Sequence, residues 1–153
     1  MPVELQLSED LKPVPDIAPS IFTRALAAIR AVSGDARLAG DLCVRICAAD
    51  ESRQLNATYR HKDNATNVLS FPADLDLPAE AGVLGDLAIC WPVVVDEAAA
   101  QGKPAHDHLI HLFVHGVLHL LGHDHEEDDA AAAMEALEVR ILEALEIADP
   151  YAI

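Results

Sequence analysis

Residues 105–122, AHDHLIHLFVHGVLHLLG, are apolar nearly all round and close on a glycine, Gly122. A helix without a polar face belongs in the interior of a domain, and glycine is its natural C-terminal stop. The exceptions within the run are histidines. His111, His115 and His119 follow one another by four, so each is turned only about 40° from the last and all three share one stripe. A buried helix of this kind needs other layers around it, and the flanking sequence supplies them. From about Asp128 to Ile147 a last helix carries Met134, Leu137, Ile141 and Leu145 on one face and glutamates on the other.

Towards the N-terminus the pattern changes period. Val3, Leu5 and Leu7 alternate with Glu4 and Gln6, the mark of a half-buried strand, which the Pro-rich stretch 13–19 ends. Phe22, Ala25, Leu26, Ile29 and Val32 then line one helical face, with Asp16 or Ser20 as N-cap and Gly34 as the stop. Leu42–Ala48 reads as a second strand, and Asp50 caps a short helix through Tyr59. Asn67–Phe71 and Asp86–Trp91 read as two more strands, separated by an acidic loop with Pro78 and Gly82. Pro92 opens a helix that Gly102 closes. The order β-α-β-α-β-β-α-α-α has no internal repeat and no linker. It predicts one α+β domain over residues 1–153: a small mixed sheet of about four strands covered by about five helices, with the histidine-bearing helix at the centre.

The chain has 153 residues, 52% of them apolar, so it can bury a core and lies far from the disordered class. A formal charge of -16 argues against general electrostatic attachment to nucleic acid or anionic membranes. Ten carboxylates against the single base Arg140 fall between Asp124 and Asp149, so much of the excess belongs to one C-terminal segment. The start, MPVELQLSED, offers neither a basic nor an apolar leader region, and the longest apolar run is Leu87–Val95. A cytoplasmic protein that neither crosses nor binds a membrane is expected. Cys43, Cys47 and Cys90 read as small buried hydrophobes in a reducing compartment, in preference to a Cys43/Cys47 metal pair without CxxC spacing.

All the histidines but His61 lie between His106 and His125. Gly122 lets the chain turn back and bring His125 to the place that His115 and His119 face. His115-Gly-Val-Leu-His119-Leu-Leu-Gly122-His-Asp-His125 reproduces the spacing of the metzincin zinc motif, HExxHxxGxxH, at all three histidines and the glycine. Three imidazoles without a fourth protein ligand describe a catalytic site for one zinc ion per chain, whose open position keeps a water. Histidines satisfied by core hydrogen bonds are the bland alternative, favoured for any one of them alone. His111 reads as a support of the site, a substrate-facing group or an ordinary buried histidine. His61, His106 and His108 read as surface residues, and Asp124 as an orienter of a ligand imidazole or a solvated loop residue. Where zincin proteases place a glutamate base the chain has Gly116, which cannot move a proton and which reads as space beside the metal for a bulky substrate group.

His115–His125 resembles the HGxLHLxGyDH signature of the bacterial YbeY family, single-domain zinc-dependent endoribonucleases of rRNA maturation. Residues 55–72, LNATYRHKDNATNVLSFP, are similar to the family's LNxxYRxxDxPTDVLSFP, and Gly85-Asp86-Leu and Met134-Glu-Ala-Leu-Glu138 agree as well. The likeness runs from about residue 55 to 138. It implies a single-strand-specific endoribonuclease of rRNA processing and ribosome quality control, with RNA and a ribosomal subunit or ribosome-associated protein as partners. It also implies that Arg60 is essential for cleavage, and a planar guanidinium suits a phosphate on which charge develops. Without the likeness Arg60 would read as a surface base at a helix end. Arg53 and Lys62 are nearby bases for flanking phosphates, while Asp63, Thr66 and Asp86 shape the loop and sheet. Ala65 stands for the family's Pro, Asn67 for its Asp and His123 for its Tyr, which removes a carboxylate and adds a hydrogen-bonding ring beside the metal. Two rivals remain open: a zinc peptide or amide hydrolase using Asp86 or Asp63 as base, and a non-catalytic assembly factor that uses zinc to hold its fold.

Overall fold

The computed structural model describes residues 3–11, 15–34, 41–72, 83–123 and 127–151. Strand β1 (Val3–Leu7) is followed by helix α1 (Ser20–Ser33), β2 (Asp41–Cys47), α2 (Ala49–Arg60), β3 (Val68–Pro72), β4 (Val83–Cys90), α3 (Trp91–Gln101), α4 (Ala105–Leu120) and α5 (Asp128–Ala144). The strand order is β1-β2-β4-β3, with β1, β2 and β4 parallel and β3 antiparallel along the edge of β4. This is the mixed four-stranded sheet with five helices that the periodicity predicts. Its parallel centre follows from the helical crossover between β1 and β2.

Helix α4 packs on β3 and β4 and is flanked by α1, α3 and α5. Leu109, Phe113, Val114, Val117 and Leu118 are wholly enclosed, and the Phe113 ring tilts against Phe22 of α1 with centroids 4.9 Å apart. A fully buried side chain of this size contributes roughly 1.5–3 kcal/mol through removal of apolar surface from water. The helix comes close to the sheet at Gly85, where Leu84 is an extra residue in the β2–β4 ladder. Gly85 has φ +150°, and a Cβ there would lie 2.6 Å from the Phe71 carbonyl oxygen and 2.9 Å from Leu120 Cδ2. Only glycine allows both the conformation and the approach.

The helix ends differ in detail from the sequence reading. Neither Asp16 nor Ser20 caps α1, which begins behind Pro19 without a side-chain cap, and Asp50 lies inside the first turn of α2, where its charge faces the positive end of the helix dipole. Helix α5 stops at Ala144, three residues before Ile147, and Glu146 adopts φ +62°. Cys47 and Cys90 are buried and Cys43 partly so; all three are free thiols, and burial pushes the Cys47 thiol up to about 12. Among the described residues no helix is long and apolar enough to cross a membrane.

Candidate metal and phosphate site

The histidine stripe of α4 meets α5 and the C-terminal turn. His115 Nε2 and His119 Nε2 stand 3.0 Å apart, with the two rings nearly perpendicular. Two ligand nitrogens at zinc distance and a tetrahedral angle lie about 3.3 Å apart, so this pair already has the spacing that one shared ion requires. The other ring nitrogen of His115, Nδ1, lies 2.5 Å from Glu138 Oε1. His111 Nε2 is 3.3 Å from Glu138 Oε2, and the Tyr151 hydroxyl donates to the same oxygen. Burial works against a charge on Glu138 more than any other single influence, but the hydrogen bonds from His111, His115 and Tyr151 together outweigh it and hold the carboxyl down at about 2. Tyr151 is pushed up by burial and by the same carboxylate.

His125 and Asp124 lie outside the described residues, and among the described residues no group of three metal-ligating side chains gathers. The donor set that remains, two imidazoles with one backed by a carboxylate, fits a metal centre. Beside it opens a groove of about 830 Å³, whose walls include Asn67, Lys103, His108, His111, His115 and Tyr151.

Three readings of the sequence need correction here. His108, expected at the surface, is 3% exposed, and its Nε2 meets Glu97 Oε1 at 2.8 Å. Burial pulls its pKa down, with the Glu97 hydrogen bond opposing. Glu138, expected on the solvent face of α5, is 0% exposed. It sits four residues after Met134 and three before Ile141, on the apolar stripe itself, and a carboxylate at a core position opposite a row of histidines was the signal for it. Tyr151 carried no such signal. Gly116, finally, does not leave space beside a metal. A Cβ there would lie 2.9 Å from Leu87 Cδ2 and 3.3 Å from Val68 Cγ2, so the gap is filled by the sheet on which α4 packs. His61 and His106 are exposed, as expected.

Arg60 closes α2 and is exposed. Its Nη2 donates to the Ser70 carbonyl at 2.8 Å, and its guanidinium carbon lies 5.8 Å from the centre of the Phe71 ring. The Ser70 hydroxyl in turn donates to the Gly116 carbonyl at 3.1 Å, tying β3 to the histidine helix. Arg60 thus stands on the strand next to α4 and outside the lining of the groove. Lys62 is exposed, and Arg53 grips Asp63 with two hydrogen bonds of 2.7 and 3.0 Å. His123 is half-buried, and its backbone N–H donates to Leu118. Asn67 donates to Glu97 and accepts from the Val68 N–H.

The profile described as Endoribonuclease YbeY matches residues 11–146. The chain belongs to the YbeY endoribonuclease family. A relative of that name from Halorhodospira halophila is 60% identical over 115 residues, which cover 73% of this chain and 75% of the relative. Another from Stenotrophomonas maltophilia is 59% identical over 116 residues, 73% of this chain and 72% of its own length. A solution structure of a Thermotoga maritima protein superposes with a TM-score of 0.57 at 19% identity, covering 99% of both chains, and shares the fold. The family match includes both the arginine-bearing segment and all three histidines of the stripe.

Proposed function

We propose that this protein is a zinc-dependent, single-strand-specific endoribonuclease of rRNA maturation and ribosome quality control, a single catalytic domain working in the cytoplasm. The observation that carries the reading is the 3.0 Å convergence of His115 and His119 in a chain of this family. With His125 they would hold one zinc ion, which supplies Lewis acidity toward a phosphoryl oxygen and lowers the pKa of bound water. The chain's own residues do the rest. Arg60 binds the scissile phosphate, since its guanidinium spends one N–H on Ser70 and another, at 3.5 Å, on the Tyr59 carbonyl and keeps the rest of its five for a phosphate contact. Lys62, two residues on and exposed, holds a flanking phosphate. Arg53 joins only by giving up its two-pronged hold on Asp63. His111 and Tyr151 form the wall along which RNA approaches His115. By the sequence reading, Asp124 would orient a ligand imidazole and His123 would add a hydrogen-bonding group beside the metal.

A peptidase reading finds less support. Residue 116 faces Leu87 and Val68, and of the substitute bases Asp63 is engaged by Arg53. The acidic segment 124–149 suits a basic ribosomal partner that brings RNA to a chain of charge -16. Incubation of zinc-loaded protein with ribosomal RNA, beside a His115→Ala control, tests the proposal. Cleavage by the wild type alone is expected. Intact RNA under both, from folded and metal-loaded wild type, would overturn it in favour of a non-catalytic assembly factor.

A further inference from the structure

Glu138 is the most enclosed charged group among the described residues, and its two oxygens are divided between different partners. Oε1 faces His115 Nδ1 at 2.5 Å. Oε2 receives the Tyr151 hydroxyl and lies 3.3 Å from His111 Nε2. A carboxylate can only accept, so each of these groups must present a proton to it. For a neutral His115 that places the imidazole proton on Nδ1 and leaves Nε2 as an acceptor, 3.0 Å from His119 Nε2. A cation bound by both Nε2 atoms is one arrangement that this tautomer suits.

We propose that Glu138 is the positioning residue of His115: it fixes the tautomer and the aim of that imidazole, and Tyr151 and His111 hold the second oxygen so that the first stays on Nδ1. The C-terminal turn is thereby part of the metal site, although it carries no ligand. The inference rests on reading His115 as a ligand. It goes further by naming what prepares the ligand. The carboxylate raises the basicity of Nε2 through the ring, and removal of such a partner typically lowers metal affinity about 10–100-fold. Helix α5 also explains why the carboxylate cannot wander. Met134, Ile141 and Leu142 are buried on either side of it, so its backbone is fixed by core packing.

The test has two readouts. Zinc affinity is measured by competition with a chromophoric chelator for wild type, Glu138→Gln and Tyr151→Phe. Long-range 1H–15N correlation on histidine-labelled, metal-free protein reports the His115 tautomer. Wild type should show the Nδ1–H form. Glu138→Gln should bind zinc about 10–100-fold more weakly and lose the single tautomer, while Tyr151→Phe should show the same changes to a smaller extent. Wild-type affinity and wild-type tautomer in both folded variants would overturn the proposal. If Glu138→Gln fails to fold, Tyr151→Phe decides alone, because its phenyl ring keeps the packing and removes only the donor. If the wild type itself binds no zinc, the ligand reading of His115 fails, and the tautomer still decides whether Glu138 positions the ring.

Discussion

Replacing Gly116 by alanine adds one methyl group, and the structure says where it goes. It arrives 2.9 and 3.2 Å from the two methyl carbons of Leu87 and 3.3 Å from Val68 Cγ2, in a helix–sheet seam where Leu87 is 1% exposed. Overpacking of this kind costs roughly 1–3 kcal/mol, while alanine for glycine within a helix returns about 1 kcal/mol. The net expectation is a loss of about 1 kcal/mol, which for a chain of this size lowers Tm by roughly 2–4 °C. Gly116→Glu, which restores the zincin HExxH motif, sends a carboxylate into the same apolar seam. An unpaired buried charge adds several kcal/mol, a large part of the roughly 5–15 kcal/mol that holds a domain folded. Urea and thermal unfolding of metal-free protein measure both variants, and a peptide library tests Gly116→Glu for new activity. Stabilisation of Gly116→Ala by the full helix gain would refute the reasoning. So would a folded, zinc-binding Gly116→Glu that cleaves peptides, since residue 116 would then face the metal and not the sheet.

Elemental analysis of protein purified without chelator should find about one zinc per chain, and His119→Ala should lose it, because the remaining ligands bind far more weakly. Arg60→Lys should keep fold and zinc but lose most RNA cleavage, with metal content and turnover read on one sample; full turnover would hand the role to Lys62 or Arg53. RNA binding by the isolated chain should be weak with a shallow salt dependence, since few phosphate contacts release few counterions, and ribosomal subunits should sharpen the cleavage pattern. Below its ordinary pKa of about 6.5, His108 takes up a proton in the unfolded chain before it can in the folded one, where burial depresses its pKa. Its contribution is therefore complete above that value and is lost as the pH falls through the folded pKa. Between pH 7 and 5 the wild type should lose more urea stability than His108→Gln, and equal slopes would remove His108 as the cause.

The nine elements were legible in order because their periods differ so plainly, two residues in Val3–Leu7 and near four in Phe22–Val32 and Ala105–Leu120. The ends were less so: Asp50 is a good capping residue by type, but the cap position of α2 falls two residues earlier, at Ala48. The shared stripe of His111, His115 and His119 could be read from spacing alone, since a helix fixes the angle between residues four apart. What spacing does not reveal is who stands opposite. His108 and Glu138 look like solvated charges along the chain and become core residues because Glu97 and the histidine row reach them from other elements. The space at Gly116 was misassigned for the same reason, as its neighbours Leu87 and Val68 come from strands 20 or more residues away.

Ser70 touches both halves of the site at once, its carbonyl held by Arg60 and its hydroxyl holding the backbone of Gly116. A free arginine side chain carries about 2 kcal/mol of rotamer entropy that any ligand must freeze out. Here much of that freedom is already gone before RNA arrives, and the guanidinium is surveyed from the same residue as the histidine helix. The carbonyl it covers belongs to β3, an edge strand with no neighbour on its outer side in the described sheet. An arginine drawn fully onto a phosphate would leave that acceptor uncovered, and exposed edge acceptors invite pairing with another chain. If Arg60 binds phosphate as proposed, the tether couples the reach of its guanidinium to the cover it gives the sheet edge.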